Sequence, residues 1–254
     1  MRIELLIAAA KVGLVILLSQ GVAVEAAGIR VLSSNAIRPA LHELFSDFER
    51  ATGHRVITRY EGSLVSKRRI EAGEAFDVVI VSFDVDDLAK LGKIAPGTRV
   101  VLGHTGVGVG VRKGAPKPDI GTTEAFKRTL LNAKSVAYSR GSSGQFFLGL
   151  LDRLGIARDM KPKLKPQRDG NTVDAVVTGE AEIAVSGTVT IKAVPGVELV
   201  GDLPPELQTY VVFTAGVGAT AKEAEAGRAL LNFLTTPSAV AVFKAKGLER
   251  GAPQ

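Results

Sequence analysis

Residues 139–144 read Ser139-Arg140-Gly141-Ser142-Ser143-Gly144, a run of hydroxyls and glycines with one guanidinium. An apolar stretch, Val136 to Tyr138, precedes it, and Phe147, Leu148, Leu150, Leu151 and Leu154 follow at helical spacing up to Gly155. A strand that breaks into such a loop and then starts a helix exposes free backbone N–H groups beside the hydroxyls, which is the chemistry of holding an anion. A phosphate loop is excluded, because Gln145 and Phe146 stand where it needs Lys and Ser or Thr. The stretch from Gly103 to Val111 alternates Gly and Val, which suits a strand approached closely by backbone on one face rather than a dinucleotide turn.

The same chemistry recurs where other strand patterns end: Ser34 and Asn35 after "GIRVL", Ser63 after "HRVITRY", and Ser186 after "EIAV". Ser and Asn also cap helices, so a single such end would mean little. Repetition along the chain points to a binding cleft. Other chemistries find no support. There is no cysteine, so thiolate metal sites, thiol nucleophiles and disulfides are excluded. His42, His54 and His104 lack metal-ligand spacing, and no motif ties any of them to a serine. "DVDDL" at 84–88 lacks the spaced ligands and terminal Glu of a calcium loop, and reads as a negatively charged helix start. No cofactor is expected.

The elements that must position these residues alternate. "GIRVLSS" is a strand, and Pro39 opens a helix with Leu41, Leu44, Phe45 and Phe48 on one face, stopped by Gly53. "HRVITRY", a short basic helix, the continuous β-branched strand "FDVVIV" and the helix "DVDDLAKLG" follow. The second half continues with "TTEAFKRTLLNA", "SVAYS" and the helix after Gly144. Pro162 and Pro166 mark a connector; then come a helix with Val173, Val176 and Val177 on one face, "EIAVS", "LQTYVVFTAGV" and two final helices. This order implies α/β architecture with mostly parallel sheets, whose ligands bind beyond the carboxyl ends of the strands. The runs "TGVGVGVRK" and "QTYVVFTAGV" are candidates for two crossings between lobes.

Arg2, a mostly apolar stretch and the small residues "GVAVEAAG" have the order of a secretory signal over residues 1–26, with cleavage before Ala27. Export to the periplasm as a protein without direct membrane insertion is the expectation. The 254-residue chain carries a formal charge of +6. Its basic residues are dispersed, as in Lys67-Arg68-Arg69 and "KPKLK", and Trp is absent. Without a basic helix or an aromatic platform, nucleic acid is not an expected partner.

On "VLSSNAIRPALHELFSDFERATGHRV", "YEGSLVSKRRIEAGEAFDVVI", "VTGEAEIAVS" and "LLNFLTTPSAVAVFKAKGLE", the chain resembles the periplasmic solute-binding proteins of the molybdate-binding type, within the type II binding-protein superfold. The resemblance covers essentially the whole chain after residue 26. It implies a two-lobed fold, with lobe I formed by 27–107 and 211–254 and lobe II by 108–210, joined by two crossing strands and closing on a small anion. It also implies a monomer that serves the membrane subunits of an ABC transporter.

The site residues carried over by that resemblance are Ser63 as a binding serine, Ser143 and Gly170 in loops that offer backbone N–H groups, and the loop Ser34-Asn35-Ala36. Ala36 stands where a serine is expected, leaving Ser34 or Asn35 as its substitute. Ser186 stands where a tyrosine is usual, and Arg140, beside Ser142, adds a charge that oxyanion binders do not need. The first reading is therefore capture of a molybdate-like oxyanion. The alternative is a carboxylate binder or an aconitate-isomerase type of enzyme, because small residues at 36 and 186 enlarge the site and Arg140 can pair with a carboxylate. An allylic proton shift needs a base, for which His104, Glu61 and Tyr210 are the candidates, each with a structural role as its alternative.

Overall fold

The computed structural model describes residues 27–168 and 171–250; the expected leader and Gly170 lie outside the described residues. Strand β1 (Gly28–Ser34) leads through a 3-10 turn, Asn35–Ile37, into helix α1 (Arg38–Thr52). Pro39 sits in the first turn of α1, where no N–H is needed, and Gly53 ends the helix at φ 76°, a left-handed conformation open to glycine. Leu41, Leu44, Phe45 and Phe48 are all buried. Strand β2 (Arg55–Glu61), helix α2 (Ser63–Glu71), strand β3 (Val78–Val81) and helix α3 (Asp86–Ala89) complete the first run.

The long strand β4 (Val100–Arg112) then crosses the molecule. Beyond it lie α4 (Thr123–Asn132), β5 (Val136–Ser139), α5 (Ser142–Arg153), α6 (Ala157–Met160) and β6 (Leu164–Gln167). They are followed by α7 (Asp174–Thr178), β7 (Ile183–Gly187), α8 (Thr188–Ala193) and β8 (Val197–Asp202). The chain closes with β9 (Tyr210–Val217), α9 (Ala224–Leu234) and α10 (Pro237–Ala245).

The strands form one curled sheet in the order β2-β1-β3-β9-β4-β7-β5-β6, with β8 also paired to β4. β1, β2 and β3 are mutually parallel, as are β5, β6 and β7, so the fold is mixed α/β as the alternation implied. β4 makes the join: Val100–Gly106 pairs with β9, and Val107–Arg112 pairs with β7 and β8. At the changeover the Gln208 side chain imitates a strand, accepting from Val107 N at 2.9 Å and donating to Val107 O at 3.0 Å.

The glycines of β4 answer to close packing. A Cβ at Gly108 would lie 2.7 Å from Gly201 O and 2.9 Å from Thr188 Cγ2, and one at Gly110 would lie 3.0 Å from Ile191 Cγ2. The alternation with valine therefore lets β8 and α8 close onto one face of β4.

Two large cores lie on either side of the changeover. One gathers Ile29, Val31, Leu41, Phe48, Phe213 and Leu230. The other gathers Val109, Phe126, Phe147, Leu150 and Val185. The first is tied together by Asp77, whose buried carboxylate accepts from the Arg30 side chain, from Arg30 N at 2.8 Å and from Lys222 N at 2.8 Å. Burial alone would raise this carboxyl; the hydrogen bonds from Arg30 and from Glu223 N outweigh it and hold Asp77 below the ordinary carboxylate value.

Candidate functional site

Four strand ends of the two halves meet at one place. From the first half come the turn after β1, the start of α2 after β2, and Ser82 after β3; from the second comes the start of α5 after β5. Both helices begin with glycine N-caps, Gly62 and Gly141, and neither has a side-chain cap, so their first N–H groups and positive dipole ends remain available. Gly144 is needed for this geometry, because a Cβ there would lie 1.6 Å from Ser139 O. That contact lets α5 start directly over the end of its own strand.

The serines bind one another. Ser63 Oγ accepts from Ser82 N at 2.9 Å and bonds with Ser82 Oγ at 3.0 Å. Ser82 Oγ lies 3.1 Å from Ser142 Oγ, and Ser142 Oγ donates to Ser82 O at 2.9 Å, so a chain of hydroxyls spans from one half to the other. On the far side Ser143 Oγ bonds with Ser139 Oγ at 3.1 Å. Around this bridge an inner cavity of only about 10 Å³ is lined by Ala36, Ser82, Thr105, Ser142, Ser143, Gly187 and Thr190, among others. That volume holds about one water molecule.

Outside the bridge a larger cleft of about 540 Å³ opens. Asn35, Tyr60, Glu61, Gly62 and Arg68 line it from the first half, and Arg140, Gly141, Gln145 and Arg168 from the second. Three arginines, all exposed, thus line one space. The ion pairs of the described residues, such as Arg30 with Asp77 and Arg99 with Asp84, leave Arg68, Arg140 and Arg168 out. Helical spacing brings Leu64, four residues before Arg68, to the same wall. Tyr60 adds a phenol under the Arg38 guanidinium, 5.2 Å from its ring centre; burial raises its pKa against the lowering effect of Arg38, so it stays a neutral donor.

Glu61 is the one carboxylate in that wall among the described residues. Its side chain is 12% exposed, and both oxygens are held: Oε1 accepts from Ser66 Oγ at 2.9 Å and Oε2 from Arg69 Nε at 3.0 Å.

The residues singled out in the sequence fall into distinct places. Asn35 and Arg140 line the outer cleft, and Ser142 and Ser143 line the inner cavity. Ser63 is buried behind Ser82. Ser34 is also buried, and its hydroxyl is turned inward, accepting from Ala36 N at 3.3 Å. Ser186 is buried in β7 opposite Gly108, and its neighbour Gly187 reaches the inner cavity. Of the three candidate bases, Glu61 alone lines the outer cleft. His104 is buried on β4, edge-on to Tyr210 at 5.2 Å, with its backbone bridged to Glu249. Tyr210 lines another groove, with Phe83, Arg99 and Phe146, that reaches the Ser82–Ser142 bridge from its other side.

Sequence reasoning passed over Ser82, Arg68 and Arg168. Ser82 ends the strand "FDVVIV" just as Ser34 and Ser63 end or follow theirs, so the signal was present. Arg68 was hidden in a basic run whose neighbours are paired: Lys67 with Asp87, and Arg69 with Glu61 and Glu74.

Comparison with known proteins agrees with this architecture. The family model described as bacterial extracellular solute-binding protein matches residues 29–249. An aconitate isomerase from Pseudomonas sp. is 33% identical over 229 residues, 87% of each chain. The molybdate-binding protein ModA of Azotobacter vinelandii is 28% identical over 245 residues, 89% of this chain and 91% of that one. Among solved structures, the Azotobacter vinelandii periplasmic molybdate-binding protein superposes with a TM-score of 0.73 at 19% identity, over 89% of this chain and 100% of that one. This likeness speaks to the fold, that of the type II periplasmic binding proteins.

Proposed function

Because the chain belongs to the bacterial extracellular solute-binding protein family, we propose that it is an exported carrier that captures a small polycarboxylate in the cleft between its halves and delivers it to a membrane transporter. The observation that carries this reading is the placement of Arg68, Arg140 and Arg168, none of them ion-paired among the described residues, around one cleft of about 540 Å³. Guanidinium groups match carboxylates bidentately, and groups spaced around a cleft suit an anion whose charges are themselves spaced apart. An oxyanion held by neutral dipoles needs a close cage instead. The serine nest is that cage by chemistry, but its hydroxyls bond each other around about 10 Å³. The helix starts at Gly62 and Gly141 add their dipoles to the outer cleft.

The test is thermal unfolding of the protein lacking residues 1–26 against molybdate, tungstate, sulfate, citrate and cis- and trans-aconitate. A ligand at a hundred times its dissociation constant stabilises the folded state by about 2.7 kcal/mol. Stabilisation by carboxylates alone supports the reading. Stabilisation by molybdate or tungstate alone returns the site to the serine nest and overturns it.

A second reading is isomerisation of the captured carboxylate, favoured by the 33% identity to an aconitate isomerase and by Glu61 in the cleft wall. In it, Glu61 takes a proton from the methylene carbon of an unsaturated tricarboxylate, the double bond shifts, and the proton returns to the other alkene carbon. The arginines stabilise the charge that develops on the adjoining carboxylate. Incubation of cis-aconitate with the protein in heavy water, followed by proton NMR, separates carrier from enzyme. Conversion to the trans isomer with deuterium uptake means catalysis, and an unchanged spectrum means carriage.

A further inference from the structure

A fixed carboxylate in an anion-binding cleft needs a reason. Glu61 lines the same cleft as three arginines, beside Arg68 and across from Arg140 and Arg168, at the end of β2, and is locked by two donors, Ser66 Oγ and Arg69 Nε. Arg69 neutralises it in part but is itself shared with Glu74 at 3.0 Å. Glu61 repels any carboxylate that enters, unless the ligand also brings a hydrogen-bond donor. An ionised carboxylate accepts about four hydrogen bonds and Glu61 receives one at each oxygen, so acceptor capacity remains.

We infer that Glu61 is a specificity residue that reads a hydroxyl on the ligand, so that the cleft selects hydroxy-polycarboxylates over the same skeletons without the hydroxyl. The inference rests on the reading of the cleft as a carboxylate site and adds the donor to it. A hydroxyl suits the place better than an ammonium, because an ammonium would stand among Arg68, Arg140 and Arg168 and be repelled by them. The locking of Glu61 by Ser66 and Arg69 fixes its direction, so the discrimination is built in before the ligand arrives.

The experiment is calorimetric titration of the full exported chain, wild type and Glu61→Gln, with citrate, its deoxy analogue tricarballylate, malate, succinate and aspartate. Folding of the variant is checked by its thermal transition. In the wild type, citrate should bind about tenfold or more tighter than tricarballylate, and malate than succinate, as a hydrogen bond to a charged group gives. In Glu61→Gln that preference should shrink about tenfold, while tricarballylate tightens as the repulsion is removed. Equal wild-type binding of the paired ligands, a preference that survives in Glu61→Gln, or aspartate binding better than malate overturns the inference and leaves the carboxylate reading intact. Binding of molybdate with no response to any carboxylate overturns both.

Discussion

Replacement of Arg140 by alanine is the sharpest perturbation of the outer cleft. Arg140 follows β5 directly, and its backbone is pinned by Arg140 N donating to Gln167 O at 3.0 Å, so the side chain can be removed without freeing the loop. At about 4 Å and an effective dielectric near 20, an arginine–carboxylate attraction is about 4 kcal/mol before desolvation is charged against it. Exposed pairs retain about 0–1 kcal/mol of this, and truncation of fully buried pairs costs about 2–5 kcal/mol. Arg140 is exposed at the rim of a cleft whose walls exclude part of the solvent, which places the loss near 2 kcal/mol, or roughly a 30-fold rise in Kd. Arg140→Lys keeps the charge but loses the two-pronged geometry, and should cost about fivefold.

Titration calorimetry of a tricarboxylate at low and high salt reads both variants. Wild-type affinity should fall as salt shortens the screening length below about 10 Å, and the alanine variant should fall less steeply. A Kd for Arg140→Ala within twofold of wild type, with an unchanged salt slope, would refute the reasoning.

Asp77→Asn tests the tie that holds the first core together. Because hydrogen bonds hold the folded carboxyl below its ordinary value, Asp77 contributes stability above the unfolded value near 3.9, lost as pH falls through the lower folded one. The variant should be less stable by about 3 kcal/mol at pH 7 and show a shallower decline in acid, measured by thermal melts from pH 7 to 3. Two glycines of α5 should behave oppositely. Gly144→Ala drives a Cβ into Ser139 O and should lower the melting temperature and abolish ligand binding. At Gly149, where nothing lies within 4 Å of an added Cβ, alanine should stabilise by about 0.8 kcal/mol and leave binding unchanged.

Much of the fold was legible because local chemistry and tertiary need coincide. Pro39 and Gly53 punctuate α1, its apolar stripe is the buried face, and the Gly–Val alternation of β4 reports where β8 and α8 press on it. Legibility fails where neighbours, not sequence, decide. Pro166 looked like part of a connector, yet Leu164–Gln167 is a strand; it lies at the sheet edge, where a missing N–H costs no ladder bond. Val177 fits the helical face of Val173 and Val176 but is 40% exposed, since the short α7 buries only one side.

In the site, the loops after β1, β2 and β5 were visible as runs of small hydroxyl residues. Which of those residues face a ligand was not, because Ser34 and Ser63 satisfy their hydroxyls inside the protein. The arginines were least visible of all. A helix turns about 100° per residue, so Lys67, Arg68 and Arg69 look alike in sequence and point to three different surroundings.

The most direct test of where the ligand sits is a crystal structure of the protein grown with citrate or trans-aconitate. Carboxylates resting on the guanidinium groups of Arg68, Arg140 and Arg168, with Ser82 and Ser142 still bonded to each other, are the expected result. An anion seated among Ser63, Ser82 and Ser142, with the two halves parted to admit it and the arginines facing solvent, would contradict the account.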